Sequence, residues 1–370
     1  MKMEKNSKYP VPKKINFAVI GIGWRAEFFL RIARALPEQF QLAGVVSSRE
    51  DKREEIRNKW GFKAYQSAEE LLQAESPDFV VLSISKEAAA EVILKLVEFE
   101  IPILAETPPA ANLAELIKLN QKLGKDYPIQ IAEQYHLQPL HQAIYKLADS
   151  GRLGEVNYAR ISISHGYHAV SLLRKALGIK FENAEIEARF FEEPVVKGPD
   201  RSGLPDKKEI VSKSHEFAFL NFDGKLGVYD FERGQHRSWI RSQEILIRGT
   251  EGEIKNSTLK YLKDYQSPVE LDLKRVEAGI NQNLEGFYLK GITCGEDWLY
   301  QNPFLPARFS DDEIAVAEAL VRMYKFLASG KSFYSLAEAS QDQYLALKIK
   351  EAAAENKKII TQKQIWAEFE

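Results

Sequence analysis

The stretch "NFAVIGIGWRAEFFLRIA", Asn16 to Ala33, constrains the fold more than any other part of the chain. The apolar run Ile15–Ile20 feeds straight into Gly21-x-Gly23-x-x-Ala26, and an amphipathic pattern begins at once. In such a strand–turn–helix unit the first Gly permits the tight turn and the second lets the backbone approach a diphosphate. The small third residue lets helix and strand pack closely. Exposed N–H groups and the helix dipole then attract the anion. Gly21, Gly23 and Ala26, with Trp24 and Arg25 between them, are candidate nucleotide contacts.

The next hundred residues repeat this grammar. Apolar runs at Leu42–Val46, Phe79–Ile84, Ile101–Ala105 and Ile129–Ala132 alternate with helical patterns at Arg25–Leu36, Arg49–Trp60, Ala68–Ala74, Glu87–Phe99 and Asn112–Leu123. Continuous apolar strands between amphipathic segments predict a parallel sheet covered on both faces, an α/β Rossmann domain over residues 15–135. Ser67 and Glu70 read as a capping box. Residues 1–14 read as a flexible lead-in without the apolar core of a signal peptide.

Beyond residue 135 the pattern changes. Alternating stretches at Asn157–Ser164, Ala184–Phe191, Glu216–Phe222, Lys225–Glu232 and Ser238–Gly249 surround a helical segment at Tyr167–Leu177. Asp223-Gly224 is a hairpin signal. Helical patterns return at Asp311–Ala328 and Leu336–Glu355. These features predict an α+β domain over residues 136–370 with an open, mostly antiparallel sheet, its C-terminal segment free to pack back on the first domain. The Pro- and Gly-rich stretch around Lys197–Lys208 reads as a surface excursion, either a lid carrying Lys197 and Arg201 or a plain loop.

A net charge of −2 gives no general attraction to nucleic acid or to an anionic membrane. No apolar run approaches the roughly 20 residues of a membrane helix. The single cysteine, Cys294, excludes an internal disulfide and reads as a buried bystander. The expected setting is cytoplasmic.

Parallel sheets place their chemistry where strands end. After the second strand come Ser47, Ser48 and Arg49, with no acid to grip a ribose 2′-OH; hydroxyls and a guanidinium suit a 2′-phosphate, which favours NADP over NAD. Ser83 lies near the end of the third apolar run. "AETPPA" places Glu106, Thr107 and Pro108 after the fourth.

With GIGWRA, AETPPA, "IAEQYHLQPL" and "SHGYHAVSLLRKALG" together, the chain resembles the glucose–fructose oxidoreductase, inositol dehydrogenase and MocA-like family over nearly its whole length. The resemblance implies a Rossmann domain followed by an open antiparallel sheet. It also implies hydride transfer between NAD(P) and a hydroxyl of a sugar, polyol or related metabolite. The family's catalytic His falls on His168. Its Lys, in Glu-Lys-Pro, falls on Thr107, and the Asp that many members carry four residues before the His falls on Ser164. Thr107 neither carries charge nor titrates near neutrality, so the family's proton relay is altered here.

Three readings follow. The chain is an oxidoreductase that uses His168 as acid/base, helped by Tyr167, Tyr135 or His136, with Thr107 at the strand end able to donate a hydrogen bond. Alternatively, it is a redox-inactive sensor or regulator that binds nucleotide and metabolite. In the third, tightly bound NAD(P) serves transiently in elimination or isomerisation. His136, Ser164, His165 and Arg237 are substrate candidates. His165 and His168, three apart, lack the thiolates and carboxylate of a zinc site, so no metal is expected. Read as a strand, "GQHRSWIRSQEILIRG" puts Gln235, Arg237, Trp239 and Arg241 on one face, suiting either an anion or a subunit interface; a homodimer or homotetramer through the second sheet is expected.

Overall fold

The computed structural model describes residues 14–279 and 286–369. The lead-in expected over residues 1–14 therefore lies outside the described residues, Lys14 excepted.

The N-terminal portion alternates strand and helix as its apolar runs predict. In chain order these are β1 (Ile15–Ile20), α1 (Ala26–Ala35), β2 (Phe40–Val46), α2 (Glu50–Glu55), β3 (Ala64–Tyr65), α3 (Ala68–Ala74), β4 (Phe79–Leu82), α4 (Lys86–Val97), β5 (Ile103–Ala105), α5 (Leu113–Leu123) and β6 (Ile129–Ile131). The sheet order is β3-β2-β1-β4-β5-β6, parallel throughout. Strand order reverses between β1 and β4, so a crevice opens at their carboxyl ends. Two-residue β3 was not foreseen; it is too short to show a period. The cap at Ser67 differs in part from expectation. Its hydroxyl takes the Glu70 N–H at 3.1 Å, but the Glu70 carboxylate takes the N–H of Gln66.

The C-terminal portion holds α6 (Pro139–Ala148), β7 (Val156–Ser162), α7 (Gly166–Leu177), β8 (Glu185–Val196), β9 (Ile210–Asn221), β10 (Leu226–Glu232), β11 (Glu244–Gly249), β12 (Gly252–Lys255), β13 (Thr258–Leu262), β14 (Pro268–Glu277), β15 (Leu289–Cys294), β16 (Asp297–Gln301), α8 (Asp311–Ser329), α9 (Leu336–Glu355) and β17 (Ile359–Ile360). The strands form an 11-stranded sheet that is antiparallel except where β10 runs parallel to β7. Asp223 and Gly224, both at positive φ, turn β9 into β10. The excursion after Val196 proves to be the tip of a long hairpin, because β8 and β9 pair as far as Val196↔Ile210.

One expected strand is corrected. Only Glu244–Gly249 of Ser238–Gly249 is a strand, and Gln235–Arg237 forms a 3-10 turn. Gly234, at φ 99°, ends β10, and the buried Gln235 amide binds the Ser162 carbonyl at 3.0 Å and hydroxyl at 2.9 Å. That pins the chain in a turn and scatters the proposed face. Gln235 is interior, Trp239 is 71% exposed, and Arg241 pairs with Glu232 at 2.5 Å.

The C-terminal segment does reach the first sheet. The Ile131 N–H donates to the Tyr334 carbonyl at 2.9 Å, and Arg31 of α1 meets Glu313 of α8 at 2.8 Å.

Candidate active site

The crevice floor is built from backbone. Gly21 sits at φ +104°, and a Cβ there would lie 2.2 Å from the Ser83 carbonyl oxygen, so only glycine fits between β1 and β4. Gly23 is the opposite case: a Cβ on it meets nothing within 4 Å. The protein leaves space over Gly23, and α1 begins there with no side chain capping its first turn. The Ala26 and Phe28 N–H groups are taken by the Gly23 and Arg25 carbonyls, so a diphosphate would use the open space, the remaining N–H groups of the turn and the helix N-terminus. The residues present therefore fit a dinucleotide.

The ends of β2, β4 and β5 line the same crevice. Ser47 and Ser83 are buried. Arg49 folds back onto Asp51, with Nε to Oδ1 at 3.2 Å and Nη2 to Oδ2 at 2.5 Å, both side chains well exposed. Beside β5, burial pushes the Glu106 carboxyl up to about 7, opposed chiefly by Arg25. Thr107 and Pro108 follow across a cis peptide bond.

The central finding is a carboxylate–imidazole pair. Glu133, just past β6, and His168, in the first turn of α7, are 1% and 8% exposed, and His168 Nδ1 lies 2.8 Å from Glu133 Oε2. The other carboxylate oxygen accepts the Tyr135 N–H at 3.0 Å. Burial drives Glu133 upward and His168 downward, so the pair rests as a neutral acid against a neutral imidazole. Ser164, the position to which the resemblance assigns the family's Asp, is buried beside the Tyr135 phenol. The carboxylate on His168 therefore arrives from a different element. Sequence reasoning missed Glu133, although an apolar run ending in an acid is the signal already seen at Glu106.

Arg25 supplies a cation to this pocket. With the Gln134 amide turned so that its nitrogen donates to the Ala132 carbonyl, the Arg25 Nη2 donates to the Gln134 side-chain oxygen at 2.9 Å, and its Nη1 is buried without a partner among the described residues. The guanidinium packs on Phe28 and Trp24, at 4.7 and 5.0 Å from the ring centroids. Its field opposes the upward shifts of Glu106 and Glu133 and adds to the downward shift of His168. Asp312, at the start of α8, acts on Glu106 and His168 from the far side, its Oδ1 held by Gln138 at 2.8 Å.

The remaining candidates separate into two groups. The Tyr135 ring lies 4.7 Å from His168, and exposed His165 meets His168 edge-on at 5.4 Å. His236, next to Arg237, stacks on Phe231 at 5.9 Å, which in turn contacts His165 at 6.3 Å. The Tyr167 ring meets His168 edge-on at 5.2 Å but its hydroxyl points away, and His136 turns elsewhere. The Tyr167 hydroxyl is buried on the Asp342 side, and His136 packs against Tyr145 and Tyr334. No cluster of three metal-ligating side chains occurs among the described residues. Cys294 is buried.

Known proteins share this architecture. The family described as "Oxidoreductase family, NAD-binding Rossmann fold" (GFO_IDH_MocA) matches residues 15–127. Inositol 2-dehydrogenase from Corynebacterium glutamicum (strain R) is 28% identical over 99 residues, a stretch that is 26% of this chain and only 29% of that relative. An oxidoreductase from Agrobacterium radiobacter, solved with NAD+, L-tartaric acid and magnesium, shares the fold with a TM-score of 0.67 at 16% identity, covering 94% of this chain and 97% of its own. A myo-inositol dehydrogenase from Corynebacterium glutamicum ATCC 13032 does so with a TM-score of 0.63 at 15% identity, covering 95% and 100%. At these identities the two structures establish the fold.

Proposed function

We propose that this chain, which belongs to the Gfo/Idh/MocA family of oxidoreductases, transfers hydride between NAD(P) and a hydroxyl or carbonyl of a sugar, polyol or related metabolite. Residues 15–135 hold the coenzyme, and residues 136–370 supply the substrate side and the oligomer face. The observation that carries the proposal is the buried Glu133–His168 pair, 2.8 Å apart, next to a crevice open over Gly23.

A bound nicotinamide would supply the hydride acceptor or donor; the chain supplies everything else. Gly21, Gly23 and the first turn of α1 grip the diphosphate, with Ser83, Glu106 and Pro108 walling the crevice. With Nδ1 engaged by Glu133, the Nε2 of His168 is left to face the substrate oxygen. When the pair keeps its proton, Nε2 carries a hydrogen and donates to a carbonyl. When the pair has lost it, Nδ1–H binds the carboxylate and Nε2 accepts the hydroxyl proton. Arg25 takes over the positive charge that Thr107 does not provide, stabilising the developing alkoxide.

For the coenzyme, Ser47, Ser48 and Arg49 support NADP. The exposed Arg49–Asp51 pair is held weakly in water, so a 2′-phosphate can displace Asp51. Titration with NADPH and NADH tests this; tighter NADH binding overturns the preference. For the reaction, NAD+ or NADP+ is incubated with a sugar and polyol panel while reduced-coenzyme absorbance is followed. Turnover lost in His168→Ala supports hydride transfer. Coenzyme binding without turnover leaves a sensor, and product without net coenzyme change leaves elimination or isomerisation.

A further inference from the structure

The excursion at the tip of the β8–β9 hairpin crosses to the coenzyme crevice. The Arg201 guanidinium lies 4.5 Å from the centroid of Trp24, the ring that Arg25 approaches at 5.0 Å. Two cations thus share one indole. A third, Arg237, donates to His236 Nε2, while His236 Nδ1 is buried without a partner among the described residues. The excursion packs beside Arg237, because a Cβ on Gly198 would lie 3.8 Å from the Cα of Ser238, and burial first, then Arg237 and Arg25, lower the Arg201 guanidinium's affinity for its proton.

What the cluster lacks is a counterion. Among the described residues Arg25, Arg201 and Arg237 form no ion pair with an Asp or Glu, although arginines elsewhere on this surface commonly do. Asp200 is turned onto Ser202, whose N–H it accepts at 2.8 Å. Asp312 is the acid whose field reaches His236, and one of its oxygens is taken by Gln138. Arg25 also faces the buried carboxyls of Glu106 and Glu133, which leaves Arg201 and Arg237 as the positive charge that an incoming anion would neutralise, and planar N–H forks match carboxylate and phosphate oxygens.

Resting on the reading above, we propose that the mouth of the site binds an anionic group of the substrate, a carboxylate or a phosphate, through Arg201 and Arg237. The alternative source of such a group is the coenzyme's own diphosphate beside Trp24. Position favours the substrate. Arg237 connects through His236, Phe231 and His165 to His168, at successive ring separations of 5.9, 6.3 and 5.4 Å, and so belongs to the catalytic end of the crevice. The substrate class is therefore sugar acids or sugar phosphates.

Calorimetry on the full-length protein, with and without NADPH, tests this directly. Glucuronate, glucose 6-phosphate and inorganic phosphate are titrated against neutral glucose. At least one sugar anion is expected to bind about tenfold or more tighter than glucose, with affinity falling as salt rises. The double variant Arg201→Gln, Arg237→Gln is expected to lose that preference and keep its NADPH affinity. Absence of heat with all three anions, or equal binding of glucose and both sugar anions, overturns the proposal. Loss of NADPH binding in step with anion binding reassigns the arginines to the coenzyme and also overturns it. Because the assay reads binding, a protein that prefers anions yet never reduces its coenzyme fails only the oxidoreductase reading.

Discussion

The two walls of the crevice are made differently. The wall after β1 is backbone: Gly21 is forced by the Ser83 carbonyl, Gly23 is left open, and no side chain caps α1. The facing wall is side chain: His168 from α7, Glu133 from beyond β6, Arg25 from the start of α1 and His236 from a turn after β10. A backbone wall depends on a few residue types at fixed spacing. A side-chain wall depends on where distant segments meet, and it can exchange residues while keeping its charges. The Lys and Asp that the family resemblance would put at Thr107 and Ser164 are replaced, yet the pocket still holds a guanidinium and a carboxyl group.

The largest effect that could break this contrast lies on the side-chain wall. His168→Ala is expected to lower kcat about 10³-fold with coenzyme affinity retained, read by steady-state kinetics and coenzyme titration. Retained turnover would mean that the imidazole is not the proton-transfer group. Arg25→Met is expected to cost about 10²-fold in kcat, because an uncharged side chain leaves the alkoxide without its cation, while Arg25→Lys recovers part of the loss.

The Glu133–His168 pair sets the pH dependence. The pair's titration is raised by burial of Glu133, so it stays protonated through the ordinary carboxylate range. Below that titration Nε2 donates, and above it Nε2 accepts. Alcohol oxidation should therefore rise with pH through the titration, and carbonyl reduction should fall through the same interval. Glu133→Gln cannot titrate and is expected to remove this step from both profiles of kcat/KM. A merely structural role would instead lower both curves without changing their shape.

The backbone wall is tested by two glycines. In Gly21→Ala the new Cβ would lie 2.2 Å from the Ser83 carbonyl oxygen at φ +104°, so a loss of about 2 kcal/mol or more in folding stability is expected. In Gly23→Ala the Cβ meets nothing within 4 Å, so the fold should hold while coenzyme affinity falls about tenfold. Thermal melts and coenzyme titration separate the two. Equal loss of stability in both variants would mean that Gly23 is structural and the space above it incidental.

The same contrast governs what could be read from the chain. The strand–turn–helix grammar is local, so Ile15–Ile20, Gly21, Gly23 and α3 are legible in the string itself. The pairing of Glu133 with His168 joins residues 35 positions apart, and no period in either segment announces it. Arg25 was visible as a residue of the glycine turn, but its side chain bends away toward Gln134 and the catalytic pocket, a direction that spacing does not encode. The stretch from Gln235 misled for a related reason. Its alternation suits a strand, but Gly234 and the Gln235–Ser162 contacts, which are tertiary, make it a turn.

The smallest expected effect concerns the sheets rather than the crevice, where the contrast recurs at larger scale. The parallel sheet reads as buried on both faces, and β4 is fully interior along its length. The 11-stranded sheet packs α7 and α9 on one face and turns Phe191 and Phe219 outward on the other, 50% and 43% exposed. Both lie on the same side, since Phe219 pairs with Glu187 and Phe191 stands four residues further along β8. Exposed apolar rings on one face of an open sheet, with Phe217 packed on Phe219 at 5.0 Å between them, are what a second copy of this chain would cover. Sedimentation at micromolar concentration should find a dimer or tetramer, and the double variant Phe191→Lys, Phe219→Lys should shift it toward monomer with kcat changed less than about twofold, because neither ring reaches the crevice. A wild-type monomer would leave this face to some other use. A monomeric variant that also loses turnover would mean that the two halves of the molecule are less separable than the geometry of the crevice suggests.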